Sequence, residues 1–253
     1  MQHAVVSQDQ WLKARKALLA KEKEFTRARD ALSAERRELP WVKVDKTYKF
    51  DGPQGCETLA DLFGSRSQLL VYHFMLGPGW VQGCPSCSLL ADHFDGATIH
   101  LAQRDVTLVV VSRAPLAEIA AYQKRMGWRF KWVSSHGNDF NHDFHVSFTP
   151  EEKARGKVDY NYTMTEFPSE EAPGLSAFIK DNGAVFHTYS AYARGLDTLI
   201  GAYNFIDLAP KGRDEDALPW TMAWVRRHDE YEATAVDRTA QSEKPKAAVT
   251  CCD

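Results

Sequence analysis

The sequence predicts an α/β fold: a mixed sheet flanked by helices, with a helical arm at its N-terminus. Three observations carry this. Two short apolar runs, Leu69–Met75 and Val106–Val111, read as strands, and the second is β-branched throughout except for Leu108, as suits burial on both faces of a parallel sheet. Helical patterns separate these runs, the alternation that produces βαβ crossovers. Further on, Asn182-Gly183 stands between two alternating stretches, a strong β-hairpin signal.

The chain has 253 residues, 44% of them hydrophobic, with a formal net charge of −3. That supports one large domain or two small ones with a sizeable core. The near-neutral balance gives no general attraction to nucleic acid or to a membrane surface. No apolar run approaches the ~18 residues of a membrane span, and the N-terminal stretch lacks the pattern of a secretory signal. Five cysteines, Cys56, Cys84, Cys87, Cys251 and Cys252, are too few and too uneven for a secreted disulfide framework. The expected location is the cytoplasm.

Residues from about 8 to 38 read as one long helix. Trp11, Leu18, Phe25, Leu32 and Leu39 recur every seven residues along a narrow stripe, without the second apolar position of a full coiled-coil seam. The expectation is an arm over residues 1–40 whose stripe is buried, either on the body or in a homodimer. The body is expected over 41–231, with a structured insertion at about 134–172, and a disordered tail over 232–253.

Trp41–Phe50 alternates as an edge strand, Asp51–Gly55 is a turn, and Thr58–Phe63 is a short helix. Cys56, with no partner nearby, reads as structural. Pro115 opens a helix that Gly127 closes, and Trp128–Val133 is a third strand. Ala193–Tyr203 and about Pro219–Tyr231 read as helices. His136, His142 and His145 fall in the insertion with Asp139 and Asp143. Their spacing matches no familiar metal motif, and turn and surface roles are the simpler reading.

The chemistry points to Cys84-Pro85-Ser86-Cys87. The pair lies between a strand and a helix, the sequence sign of a thioredoxin-like redox site. Thiols at this spacing can close a disulfide across one helical turn. Cys84 at the turn would meet unpaired backbone N–H groups that favour its thiolate. Pro85 suits the first helical position. Two other readings stay open: half of a zinc site, although no second Cys-x-x-Cys supplies the remaining ligands, and two inert core thiols.

The order strand, redox helix, strand, helix, hairpin, helix resembles thioredoxin. The set Val71–Met75, Gly83–Cys87, Ser112–Leu116, Gly127–Phe130, Asp139–Asn141, His187–Ser190 and Tyr192–Asp197 resembles the bacterial thioredoxin-like family DUF899, catalogued as a domain of unknown function. The likeness implies a thioredoxin-like fold and a redox role. Cys84 becomes the expected attacking thiol and Cys87 the resolving one. Trp80, Pro85, Ser86 and Pro173 are the expected substrate groove, with a cis bond at Pro173. Arg113 or Arg194 is the candidate support for the thiolate. The expected partner is a disulfide-bearing protein or a small thiol or peroxide, with no cofactor, metal, nucleic acid or membrane. The alternative is a metal- or ligand-binding or interaction module on the same scaffold.

Overall fold

The computed structural model describes residues 3–232. In chain order the helices are α1 (Gln8–Arg37), α2 (Pro85–Ala91), α3 (Phe94–Ala102), α4 (Leu116–Met126), α5 (Phe140–Asp143), α6 (Pro150–Ala154) and α7 (Gly201–Ile206). The strands are β1 (Val42–Lys43), β2 (Lys49–Gly52), β3 (Gly55–Thr58), β4 (Gln68–His73), β5 (Val106–Ser112), β6 (Lys131–Ser134), β7 (Val158–Tyr160), β8 (Thr163–Thr165), β9 (Gly174–Asp181) and β10 (Ala184–Tyr192). Eight strands form one sheet in the order β1-β10-β9-β4-β5-β6-β2-β3. β4, β5 and β6 are parallel neighbours, and β9 lies antiparallel beside β4 with Val71 opposite Ser176. This is a thioredoxin-like mixed sheet, with the β9–β10 hairpin where the Asn182-Gly183 signal places it.

The side-chain alternation of β4 divides the core. Leu69 and Val71 face a layer that includes Phe50, Phe63, Phe140, Val146 and Phe178. Tyr72 and, just beyond the strand, Phe74 face the other layer, with Cys87, Leu90, Ile119, Trp132 and Tyr203. Residues of the 134–172 span therefore cover one face of the sheet, while α2, α4 and α7 cover the other. A period of two is enough to send neighbouring residues into different cores.

Several elements depart from expectation. Trp41–Phe50 is not one strand: β1 pairs with β10, while β2 pairs with β3 and β6 toward the opposite edge. The polar residues between them cross from one side of the sheet to the other. Ala193–Tyr203 is a 3₁₀ turn over Ala193–Leu199 followed by α7, with the break at Ile200; Ala202 N, in the first turn of α7, donates to His93 Nε2 at 3.0 Å. Pro219–Tyr231 forms turns, not a helix. Glu215 Oε1, just before this segment, accepts from Tyr203 Oη (2.5 Å), Met222 N (3.1 Å) and Trp224 Nε1 (2.6 Å), so side-chain bonds fix the segment in place of a helical ladder. Cys56 is exposed on β3 and contributes nothing to the core.

No described peptide bond is cis, so Pro173 enters β9 through a trans bond. The chain before it is already extended. Ser147 bridges Glu171 in strand fashion, and Ala172 N donates to Val146 O at 2.8 Å. The N-terminal stripe is not buried on the body: α1 contains no buried residue, and Phe25 is 70% exposed. No described helix is long and apolar enough to cross a membrane. The expected tail with Cys251 and Cys252 lies outside the described residues, apart from Glu232.

Candidate active site

β4 delivers the chain to a turn at the sheet's C-terminal edge, and the turn delivers Cys84 to the start of α2. Cys84 N donates to Met75 O at 3.1 Å, tying the turn to the end of the strand. Gly83 is required for this approach. A Cβ there would lie 2.4 Å from Phe74 Cε1 and 2.9 Å from Tyr122 Cε1, both in the packed core. Cys84 caps α2 and Pro85 opens it, leaving the first-turn N–H groups of Ser86 and Cys87 without helical acceptors. Ser88 N and Ser88 Oγ both donate to Cys84 O, at 3.0 and 2.9 Å, and Ser88 Oγ also bonds Tyr122 Oη at 2.8 Å.

The two thiols are free and differ in setting: Cys84 is half-buried and Cys87 is buried. Cys84 is held below its ordinary pKa, at about 6. The Cys87 thiol's hydrogen bond is the largest cause, joined by the Cys87 and Ser86 N–H groups and the positive Arg227, against an opposing effect of burial. Cys87 is pushed up, first by burial and then by Cys84 beside it. The Tyr72 hydroxyl and the Met75 N–H act in the opposite direction. One thiol is thus favoured as the anion and the other as the proton donor to it.

Arg227 is the charged side chain beside the pair that sequence reasoning missed. It is 8% exposed and donates to Gly83 O from Nε (3.0 Å) and Nη2 (2.6 Å), while Nη1 pairs with Glu230 Oε2 at 3.0 Å. It lies 143 residues beyond Cys84, in a stretch whose local pattern reads as an ordinary helix, and no local signal marks it.

Cys84, Ser86, Cys87, Pro173 and Arg194 share the wall of one cavity of about 430 Å³. Trp80, Pro85 and Arg113 do not line it. Trp80 Nε1 donates to Glu170 Oε1 at 3.1 Å. Arg113 Nε is held by the buried Glu171 at 2.6 Å, with Ser147 Oγ donating to the same carboxylate at 2.6 Å. Arg194 is largely exposed and pairs with Asp197 at 3.0 Å. The insertion histidines stay apart: His136 donates to Arg113 O, His142 to Ser147 O, and His145 lies 3.6 Å from Asp159. Asp139 and Asp143 hold Lys46 instead. Among the described residues no three His, Cys, Asp or Glu side chains gather as metal ligands.

The sheet order and the position of the turn define a thioredoxin-like α/β protein. Residues 1–231 match the model of the family described as "Bacterial protein of unknown function (DUF899)", and the chain belongs to that family. No curated protein matches it. Solved structures similar to it include peroxidoxin BcpB from Mycobacterium tuberculosis, at 14% identity and a TM-score of 0.42, covering 66% of this chain and 97% of that one. A mutant of Xylella fastidiosa PrxQ is 10% identical with a TM-score of 0.42, covering 65% and 94%. The Xanthomonas campestris bacterioferritin comigratory protein is 11% identical with a TM-score of 0.41, covering 65% and 96%.

Proposed function

We propose that this protein is a thiol–disulfide oxidoreductase. The supporting observation is the asymmetry of the Cys84–Cys87 pair: a half-buried thiol of lowered pKa on a cavity wall, with a buried thiol of raised pKa one turn along the helix. The Cys84 thiolate attacks one sulfur of the substrate disulfide, and the other leaves as a thiolate. Cys87 then gives up its proton and attacks the Cys84 sulfur. The second substrate thiolate leaves and a Cys84–Cys87 disulfide remains, to be reduced by an external dithiol. Tyr72 and the Met75 N–H support the Cys87 anion in that second step.

A peroxide substrate fits the site less well. Its leaving group is a far stronger base than a thiolate and needs a proton donor at the leaving oxygen. Arg227 is committed to Gly83 O and Glu230, and Arg194 to Asp197. The sparse, odd set of five cysteines in 253 residues suits a reducing compartment such as the cytoplasm. The unburied stripe of α1 supports a second copy of the chain as the arm's partner.

The test is alkylation rate against pH for the wild type, Cys84→Ser and Cys87→Ser, with mass spectrometry of adducts formed with a disulfide. Cys84→Ser is expected to abolish rapid alkylation at pH 7 and all disulfide reduction. Cys87→Ser is expected to keep the first attack and to accumulate a mixed disulfide on Cys84. Fast alkylation of Cys87 would reverse the roles. Two unreactive thiols retaining one metal ion through purification would establish the binding-module reading in place of the redox one.

A further inference from the structure

The recess beside Cys84 bears on what kind of disulfide enters it. Resting on the oxidoreductase reading, we propose that the substrate is a small disulfide bearing an apolar alkyl or aryl substituent, and not a disulfide on a folded protein or a highly charged small molecule.

The volume of about 430 Å³ falls among sites that enclose a small molecule, about 300–1,000 Å³. Its walls are contributed by separate parts of the chain. Met75 and Leu90 come from the strand end and α2, Tyr160 and Phe167 from the insertion, and Leu196 and Ile200 from the 3₁₀ turn and its end. The C-terminal segment adds Thr221 and Met222, so the thiol stands in a recess and not on an open ridge. That segment is anchored independently, by Glu215 on Met222 N and Trp224 Nε1 and by Arg227 on Gly83 O. A folded protein presents its disulfide on a convex surface and would have to displace it.

Charge argues in the same direction. Arg194 and Asp197, the two ionic side chains on the wall, pair at 3.0 Å, and Arg213, which reaches Asp197 at 3.4 Å, is itself paired with Asp207 at 2.7 Å. Among the described residues the recess wall offers no uncompensated cation to a carboxylate-bearing disulfide. What it does offer is apolar surface next to the attacking sulfur. The substituent on the sulfur that Cys84 attacks stays in the recess through the mixed disulfide, while the other half leaves as a thiolate.

The experiment mixes reduced full-length protein with symmetric dialkyl disulfides from dimethyl to dibutyl, with glutathione disulfide and with insulin. Formation of the Cys84–Cys87 disulfide is followed by acid quench and mass spectrometry. Each rate is divided by that of a free thiol with the same disulfide. The normalised rate is expected to rise by about fourfold per methylene on each sulfur, the value of burying one CH₂. Glutathione disulfide and insulin are expected to fall at least tenfold below dibutyl disulfide. Thr221→Trp, at an exposed residue on the cavity wall, is expected to flatten the chain-length dependence of the normalised rate. A chain-length-independent rate, or insulin or glutathione disulfide reacting fastest, overturns the substrate class and leaves the oxidoreductase reading standing. Failure of every disulfide to oxidise the pair overturns both.

Discussion

At the scale of single residues, the site depends on who faces Cys84. Its neighbours act through short, directional contacts: two N–H groups of the first helical turn, the Cys87 thiol, and Arg227 behind the Gly83 carbonyl. Arg227→Met removes the positive charge and leaves Gly83 O without its two donors. The alkylation midpoint of Cys84 is expected to rise from about 6 toward the ordinary thiol value. A loss of about 2 kcal/mol of stability is expected from the lost charged hydrogen bonds. An unchanged midpoint with the same stability loss would leave Arg227 a purely structural residue. A different residue governs acid stability. His73 is fully buried against Phe140 and Phe144, bonds Ser176 Oγ at 2.9 Å through Nε2, and leaves Nδ1 without a partner among the described residues. Burial lowers its pKa from 6.5 to about 3. Between those values the unfolded chain takes up a proton that the folded one refuses, so stability is present above pH 6.5 and lost as the pH falls. From pH 7 to pH 5 the loss is about 2 kcal/mol. Urea midpoints against pH should show a flatter acid limb for His73→Gln than for the wild type; parallel limbs would refute this assignment.

At the scale of elements, α1 stands out because none of its residues is buried among the described residues. It is 30 residues long, about 45 Å, opened by a capping box between Ser7 and Gln10, and without a buried residue. Helices in water owe most of their stability to packing an apolar face, yet Trp11, Leu18, Leu32 and Leu39 are 51, 52, 55 and 45% exposed. Pairing with a second copy would cover that stripe. Sedimentation of the full chain is expected to give about twice the 28.6 kDa of one chain, and deletion of residues 1–39 to give a monomer with an unchanged melting transition for the body. A full chain that sediments as a monomer at tens of micromolar would end the homodimer reading. α2 shows the opposite economy. Seven residues suffice because its start is fixed by Gly83, Cys84 and Pro85, and its Cys87, Leu90 and Ala91 are buried.

At the scale of the whole molecule, the parts with a local cause were legible in the sequence. β4 and β5 follow from short continuous apolar runs, and the β9–β10 hairpin from alternation around Asn182-Gly183, because strand burial pattern and turn geometry are local properties. The same holds for α4, bounded by Pro115 and by Gly127 at φ 68°, and for the position of Cys84 at the head of a helix. The sequence by itself determined the mixed sheet, the strand-to-helix turn that holds the cysteine pair, and the membership of DUF899 over residues 1–231. It did not determine what surrounds that pair. Only the tertiary structure placed Arg227 behind Gly83, left Arg113 with Glu171, and closed a recess from β4, α2, the insertion and the C-terminal segment. The trans bond before Pro173, the two strands made from Trp41–Phe50 and the bare stripe of α1 were likewise decided there. The physical reason is common to all of them. Period, capping and turn preference act within a few residues, whereas buried ion pairs, cavity walls and the covering of a helix face depend on which distant segments meet.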